Sequence, residues 1–133
     1  MESLVRRFKD LAWVPLPKNP NVYHKELLSR DESASLGLKL WRILFEKIET
    51  GAAVLPHYHD VTEVIHFIQG EVHVLLGEER SVCQPGDSLI VRSGVVHSVA
   101  NKGGEPSTQV SFFIPKTSQK DFGLTEQVPG IEI

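Results

Sequence analysis

The sequence predicts an all-β sandwich or barrel, and three observations lead to that class. Short apolar or alternating segments recur at Glu63–Ile68, Glu71–Leu76, Ser88–Val91, His97–Ala100 and Gln109–Ile114. Turn-forming clusters separate them: Gly77-Glu78-Glu79, Gln84-Pro85-Gly86-Asp87, Arg92-Ser93-Gly94 and the stretch from Asn101 to Pro106. A short strand and a turn about every 8–12 residues belong to sandwiches and barrels, not to βαβ folds. The third observation is length. A chain of 133 residues with 41% hydrophobic and 23% charged residues supports a single domain with one core and is not disordered in composition.

In chain order, Leu4, Val5, Phe8, Leu11 and Ala12 fall on one face of a short helix over Glu2–Ala12. Pro15, Pro17 and Pro20 then forbid regular structure and predict an extended arm. The polar run Asp31–Ser35 reads as a loop, so residues 1–36 form a helix and arm ahead of a barrel over 37–115. Between Gly37 and Gly51, Leu38–Glu49 alternates without a helix breaker and reads as a strand. Residues 116–133 show no period and read as a surface tail.

Composition excludes several function classes. A net charge of −3 argues against a nucleic-acid partner, which calls for a basic face. No apolar run approaches the roughly 20 residues that cross a bilayer, and the start Met1–Arg7 carries no apolar signal region. The single cysteine, Cys83, excludes an intramolecular disulfide and fits a reducing compartment, so a cytoplasmic location is expected. Residues 1–30 hold six Lys/Arg against three Asp/Glu, a basic arm suited to an acidic surface.

The histidines carry the chemistry. Pro56 disfavours helix at His57-Tyr58-His59, and in an extended chain residues two apart point to the same side, so both imidazoles can serve one ion. Glu63, after a short Asp60-Val61-Thr62 turn, can return to the same ion, and His97 opens another strand. Three imidazoles and a carboxylate suit a first-row divalent transition metal, not Ca or Mg. A structural zinc site is set aside, since such sites are closed and rich in cysteine.

Gly51–Gly70 fits the pattern G-x5-H-x-H-x3-E-x6-G, and Gly86–Asn101 fits G-x5-P-x-G-x2-H-x3-N except that Arg92 stands at the proline. These two stretches, fifteen residues apart, resemble the paired motifs of the cupin superfamily over roughly residues 37–115. The resemblance implies a cupin jelly-roll β-barrel holding a metal in its mouth on His57, His59, Glu63 and His97, with every ligand position intact despite Arg92. It also implies that Glu63 can act catalytically as a base. One divalent ion per chain is expected, Fe or Mn ahead of Zn, Ni, Co or Cu.

The pocket wall is read from strand alternation. Trp41, Ile43 and Phe45 share one face and Leu40, Arg42 and Leu44 the other; the Trp41 face is taken as the inner one, with Arg42 at the surface. Ile65 and Phe67 share a face with Glu63, while His66 points away, and Gln109, Ser111 and Phe113 are further wall residues. His73 reads as exposed, Cys83 as core, Asp87 as a turn cap and Asn101 as structural. Two functions remain: an enzyme of dioxygenase, lyase, decarboxylase or isomerase type on a small oxygen-rich or carbonyl substrate, or a non-catalytic sensor or binding barrel. A homodimer is expected, with residues 1–30 contributing contacts.

Overall fold

The computed structural model describes residues 4–115 and 125–133. Its strands are β1 (Val14–Pro15), β2 (Val22–Leu28), β3 (Arg42–Ile48), β4 (Ala53–His59), β5 (Thr62–Gln69), β6 (Val72–Leu76), β7 (Glu79–Cys83), β8 (Ser88–Val91), β9 (His97–Ala100), β10 (Ser107–Ile114) and β11 (Thr125–Gln127). They form two antiparallel sheets. The six-stranded sheet runs β1-β2-β3-β10-β5-β8 and the five-stranded sheet β11-β4-β9-β6-β7. This is the jelly-roll arrangement the motifs imply. The core lies between the sheets, around Val22, Ile48, Ile65, Phe67, Val72, Val74, Val91 and Val99.

Four local readings are corrected. Of the predicted helix over residues 2–12, the described part holds one 3-10 turn, Phe8–Asp10, and Leu4 and Val5 lie exposed. Phe8 of that face packs on Phe45 and Trp13, but with Leu4 and Val5 exposed the apolar stripe is not covered along its length, so periodicity alone does not hold the helix. Residues 22–28, read as arm, are β2, paired with β3 through Val22↔Ile48 to Leu28↔Ile43. Asp31–Ser35 is not a loop but lies in the helix α1 (Arg30–Ser35). The Ser29 hydroxyl accepts from the Glu32 N–H and Glu32 accepts from the Ser29 N–H, a capping box that meets two orphan donors. In the tail, residues 125–127 form β11 against β4; the rest of it up to residue 124 lies outside the described residues.

The arm packs on its own chain. Phe8 meets Phe45 edge-on at 4.8 Å between centroids and Trp13 at 5.8 Å. Lys25 is buried beneath them, its ammonium 4.0 Å from the Phe8 ring centroid and donating to the Phe8 carbonyl at 2.8 Å. Arg6 pairs with Glu32 of α1. Gly70, at φ +83°, turns β5 into β6 where a Cβ would come within 2.9 Å of the Ser107 Cβ, so the backbone requires glycine there.

Candidate metal centre

A break in strand parity aims the histidines inward. On β4, Val54 faces the interior, yet so do His57 and His59, three and five residues on. Strict alternation forbids that. The pairing of β4 with β9 shifts register between Val54 and His57, at a bulge containing Pro56, which has no N–H to give the ladder. His97 stands opposite His57 on β9. The His59 carbonyl accepts from the Gly94 N–H at 2.7 Å, tying the end of β4 to the turn that leads into β9. Gly94 adopts φ +83° there, and the Val95 N–H closes the turn onto the Arg92 carbonyl at 3.1 Å, so Arg92 serves in place of the usual proline.

His57, His59 and His97 are all buried, and one ring nitrogen from each lies within 4.8 Å of the others. Each Nδ1–H donates to a backbone carbonyl two residues away: His57 to Leu55 at 2.6 Å, His59 to Val61 at 2.8 Å and His97 to Val95 at 2.9 Å. A carbonyl can only accept, so each Nδ1 carries a proton, and a ring without a second proton has its lone pair on Nε2. That is the outer support that metal-ligating histidines have. Glu63 places Oε1 2.9 Å from His59 Nε2 and 3.2 Å from His97 Nε2.

The electrostatics ask for positive charge at this point. Burial, then the neighbouring His97, holds the His57 imidazole down to about 4, so it stays neutral. Burial also disfavours a charged His59, but the hydrogen bond and charge of Glu63 outweigh it and raise its affinity for a proton. Burial would raise Glu63, yet its contacts with His59 and His97 hold it well below the usual carboxylate range. A buried carboxylate among three imidazoles needs a cation, whether protons on the rings or a divalent ion. The nitrogen-rich set with one hard oxygen fits a first-row divalent transition ion. His57, His59 and His97 would hold it, with Glu63 beside them.

The trio opens on a cavity of about 350 Å³ between the sheets. Of the predicted wall residues, Trp41, Ile65, Gln109 and Phe113 line it, and Phe113 also packs on His59 at 5.8 Å. Phe67 and Ser111 share their inward faces but are buried deeper, Phe67 in the core and Ser111 bonded to Glu46. The inner face of β3 is the reverse of the prediction: Arg42, Leu44 and Glu46 line the cavity, while Ile43 and Phe45 face outward. The apolar content of the outer face misleads because Phe8 and Trp13 cover Phe45. Arg42 is half-buried and paired with Glu26 at 2.5 Å, not a free surface charge. Sequence reasoning missed Glu46, Asn19 and β11; the alternation Arg42-Leu44-Glu46-Ile48, ending on a large aliphatic residue, is the signal that could have found Glu46. Asn19 accepts the Leu55 N–H at 2.7 Å and holds the arm at the cavity mouth.

The other singled-out residues are structural. His66 faces outward against the Ser88 hydroxyl at 2.9 Å, and Asp87 caps its turn by accepting the Gln84 N–H at 2.8 Å. Asn101 donates to the Ile48 and Glu105 carbonyls and accepts from the Gly103 N–H. Cys83 is buried in the core, where burial pushes its thiol up and keeps it unreactive. His73 is half-buried, not fully exposed.

The chain belongs to the cupin domain family, whose model matches residues 44–113. It is similar in fold to a predicted oxalate decarboxylase from Thermotoga maritima, at 20% identity and a TM-score of 0.75 over 84% of this chain and 99% of that one. The polyketide cyclase RemF from Streptomyces resistomycificus matches at 16% identity and a TM-score of 0.69, covering 91% and 89%. A cupin-like protein from Thermotoga maritima matches at 16% and 0.73, covering 92% and 89%. No protein among the curated ones matches this sequence. Among the described residues no helix is long and apolar enough to cross a membrane.

Proposed function

We propose that this chain is a metal-dependent cupin enzyme acting on a small oxygen-rich or carbonyl compound, in dioxygenase, decarboxylase, lyase or isomerase chemistry. One observation carries the reading: three buried imidazoles, each fixed through Nδ1 by a backbone carbonyl, turn their Nε2 atoms to one point beside a carboxylate. One divalent transition ion per chain, Fe or Mn first, suits His57, His59, Glu63 and His97. When bound, such an ion supplies Lewis-acid polarisation of a carbonyl oxygen and, if redox-active, chemistry with O2. Glu63, the carboxylate in contact with two of the imidazoles, would act as a base only when released from the ion. The cavity has room for a ligand on the order of ten non-hydrogen atoms at about 30 Å³ each. Structural relatives named for oxalate decarboxylation and polyketide cyclisation support small oxygen-rich compounds as the class without choosing a reaction.

The test is a screen of oxo acids, hydroxy acids and enolisable carbonyl compounds with Fe2+- or Mn2+-loaded protein, read by O2 uptake, CO2 release and nuclear magnetic resonance. Turnover that stops on chelation and in Glu63→Gln supports the enzyme. Tight ligand binding with no turnover by any metal form instead makes the barrel a binding module.

A homodimer is supported by the outer face of the six-stranded sheet, where Ile68 and Ile90 are exposed beside Val64 and Phe112. Light scattering is expected to give a dimer that Ile90→Asp dissociates and that deletion of residues 1–13 weakens. A cytoplasmic location is proposed on the buried single thiol.

A further inference from the structure

The cavity has a second polar wall that the imidazole site does not use. Glu46 on β3 stands in register with Gln109 on β10, and both line the cavity although only 5% and 2% exposed. Glu46 Oε1 accepts from the Ser111 hydroxyl at 2.8 Å, and the Gln109 side chain adds a further hydrogen bond to the carboxylate. Three cavity-lining residues on this side, Trp41 through its Nε1–H among them, carry a buried polar atom without a partner. Gln109 Oε1 is a buried acceptor without a donor, and Arg42, also on the wall, carries a buried Nε–H without an acceptor, its Nη2 being held by Glu26.

A buried polar atom left unpaired is destabilising, and folds keep one where something else satisfies it. The chemistry of that something is constrained. An anionic tail would meet the carboxylates of Glu46 and Glu63, whose charges already oppose each other. An apolar tail would leave Gln109 Oε1 unmet. A hydroxyl supplies the donor that Gln109 Oε1 lacks without bringing a charge into the interior.

We propose that Glu46 and Gln109 form a hydroxyl-binding subsite, so that the cavity selects a small hydroxylated carbonyl compound whose carbonyl end faces the three imidazoles. The inference rests on the reading of those imidazoles as a metal site. In the metal-free protein, burial and then the charge of Glu63 push the Glu46 carboxyl up to about 7.

The test uses Co2+-loaded protein, whose visible spectrum reports a ligand entering the metal sphere. It is titrated with 2-oxo acids of three to five carbons, each with and without a terminal hydroxyl. At least one hydroxylated acid is expected to bind roughly tenfold more tightly than its plain counterpart. Glu46→Leu and Gln109→Met are each expected to erase that preference while leaving the plain acids within about twofold, and Gln109→Met keeps the test open if Glu46→Leu does not fold. No preference in the wild-type protein, or a preference that survives both substitutions, overturns the subsite. Cobalt stoichiometry on the same samples separates the two readings. Cobalt retained without a hydroxyl preference defeats the subsite alone, and a protein that holds no cobalt defeats the metal site and the subsite together.

Discussion

On the five-stranded sheet the three imidazoles are oriented by the main chain, each Nδ1–H held by a carbonyl two residues away in its own strand or turn. On the six-stranded sheet, Glu46, Gln109 and Ser111 are oriented mainly by one another, through side-chain bonds that leave Gln109 Oε1 unpaired. The two walls face one cavity with different kinds of rigidity. A main-chain anchor survives most changes elsewhere in the pocket, because the carbonyl stays wherever the strand stays. A side-chain network changes with any one of its members. With the ion site anchored by the main chain and the opposite wall by side chains, the wall can be altered without disturbing the ion site.

The largest expected effect breaks the first wall. His57→Ala or His97→Ala should weaken Mn2+ or Co2+ binding by more than about 100-fold in a metal titration, beyond the 10–100-fold that losing an outer partner brings. Gln109→Met in the second wall should leave that affinity within about twofold. Equal losses in all three would erase the distinction between the walls.

The second prediction concerns pH in the metal-free protein. Glu46 has its proton affinity raised on folding, so its contribution to stability is fully present below about pH 4.5 and is lost as pH rises through about 7. Glu46→Gln, which cannot ionise, should therefore melt higher than the parent protein at pH 8, with the difference closing toward pH 4.5. A difference of the same size at both pH values would remove the ionisation of Glu46 from the account. Smaller still, Ser111→Ala withdraws a buried donor from Glu46 and should cost about 1–3 kcal/mol in a urea titration at pH 8. The smallest change lies outside both walls. Phe8→Ala removes the arm's edge-on contacts to Phe45 and Trp13 and should cost about 1 kcal/mol without altering metal affinity.

Much of this was legible in the sequence, for physical reasons. The bounds of β8 and β9 could be read directly because each is a short apolar run between strong turns. The His57 and His59 pair followed from a two-residue spacing after a proline, and His97 from the second of the paired motifs. The failures have causes as well. β2 lies among residues that look like an arm, because Lys25 and Glu26 interrupt its apolar pattern and only tertiary packing under Phe8 buries the lysine. α1 was visible as Ser29-x-x-Glu32, but a polar composition hid it. The inner face of β3 was assigned to the more apolar side, whereas the arm covers that side and the polar Arg42 and Glu46 turn into the cavity. Hydrophobicity reports burial, and it does not say whether the cover is a core or an arm.

The central claim is that His57, His59 and His97, with Glu63, hold one divalent transition ion. The most direct measurement is the metal content of untagged protein by inductively coupled plasma mass spectrometry, beside His59→Ala and after anaerobic reconstitution with Fe2+ or Mn2+. The account predicts close to one ion per chain in the parent protein and almost none in the variant. No metal in either protein, even after reconstitution, would contradict it.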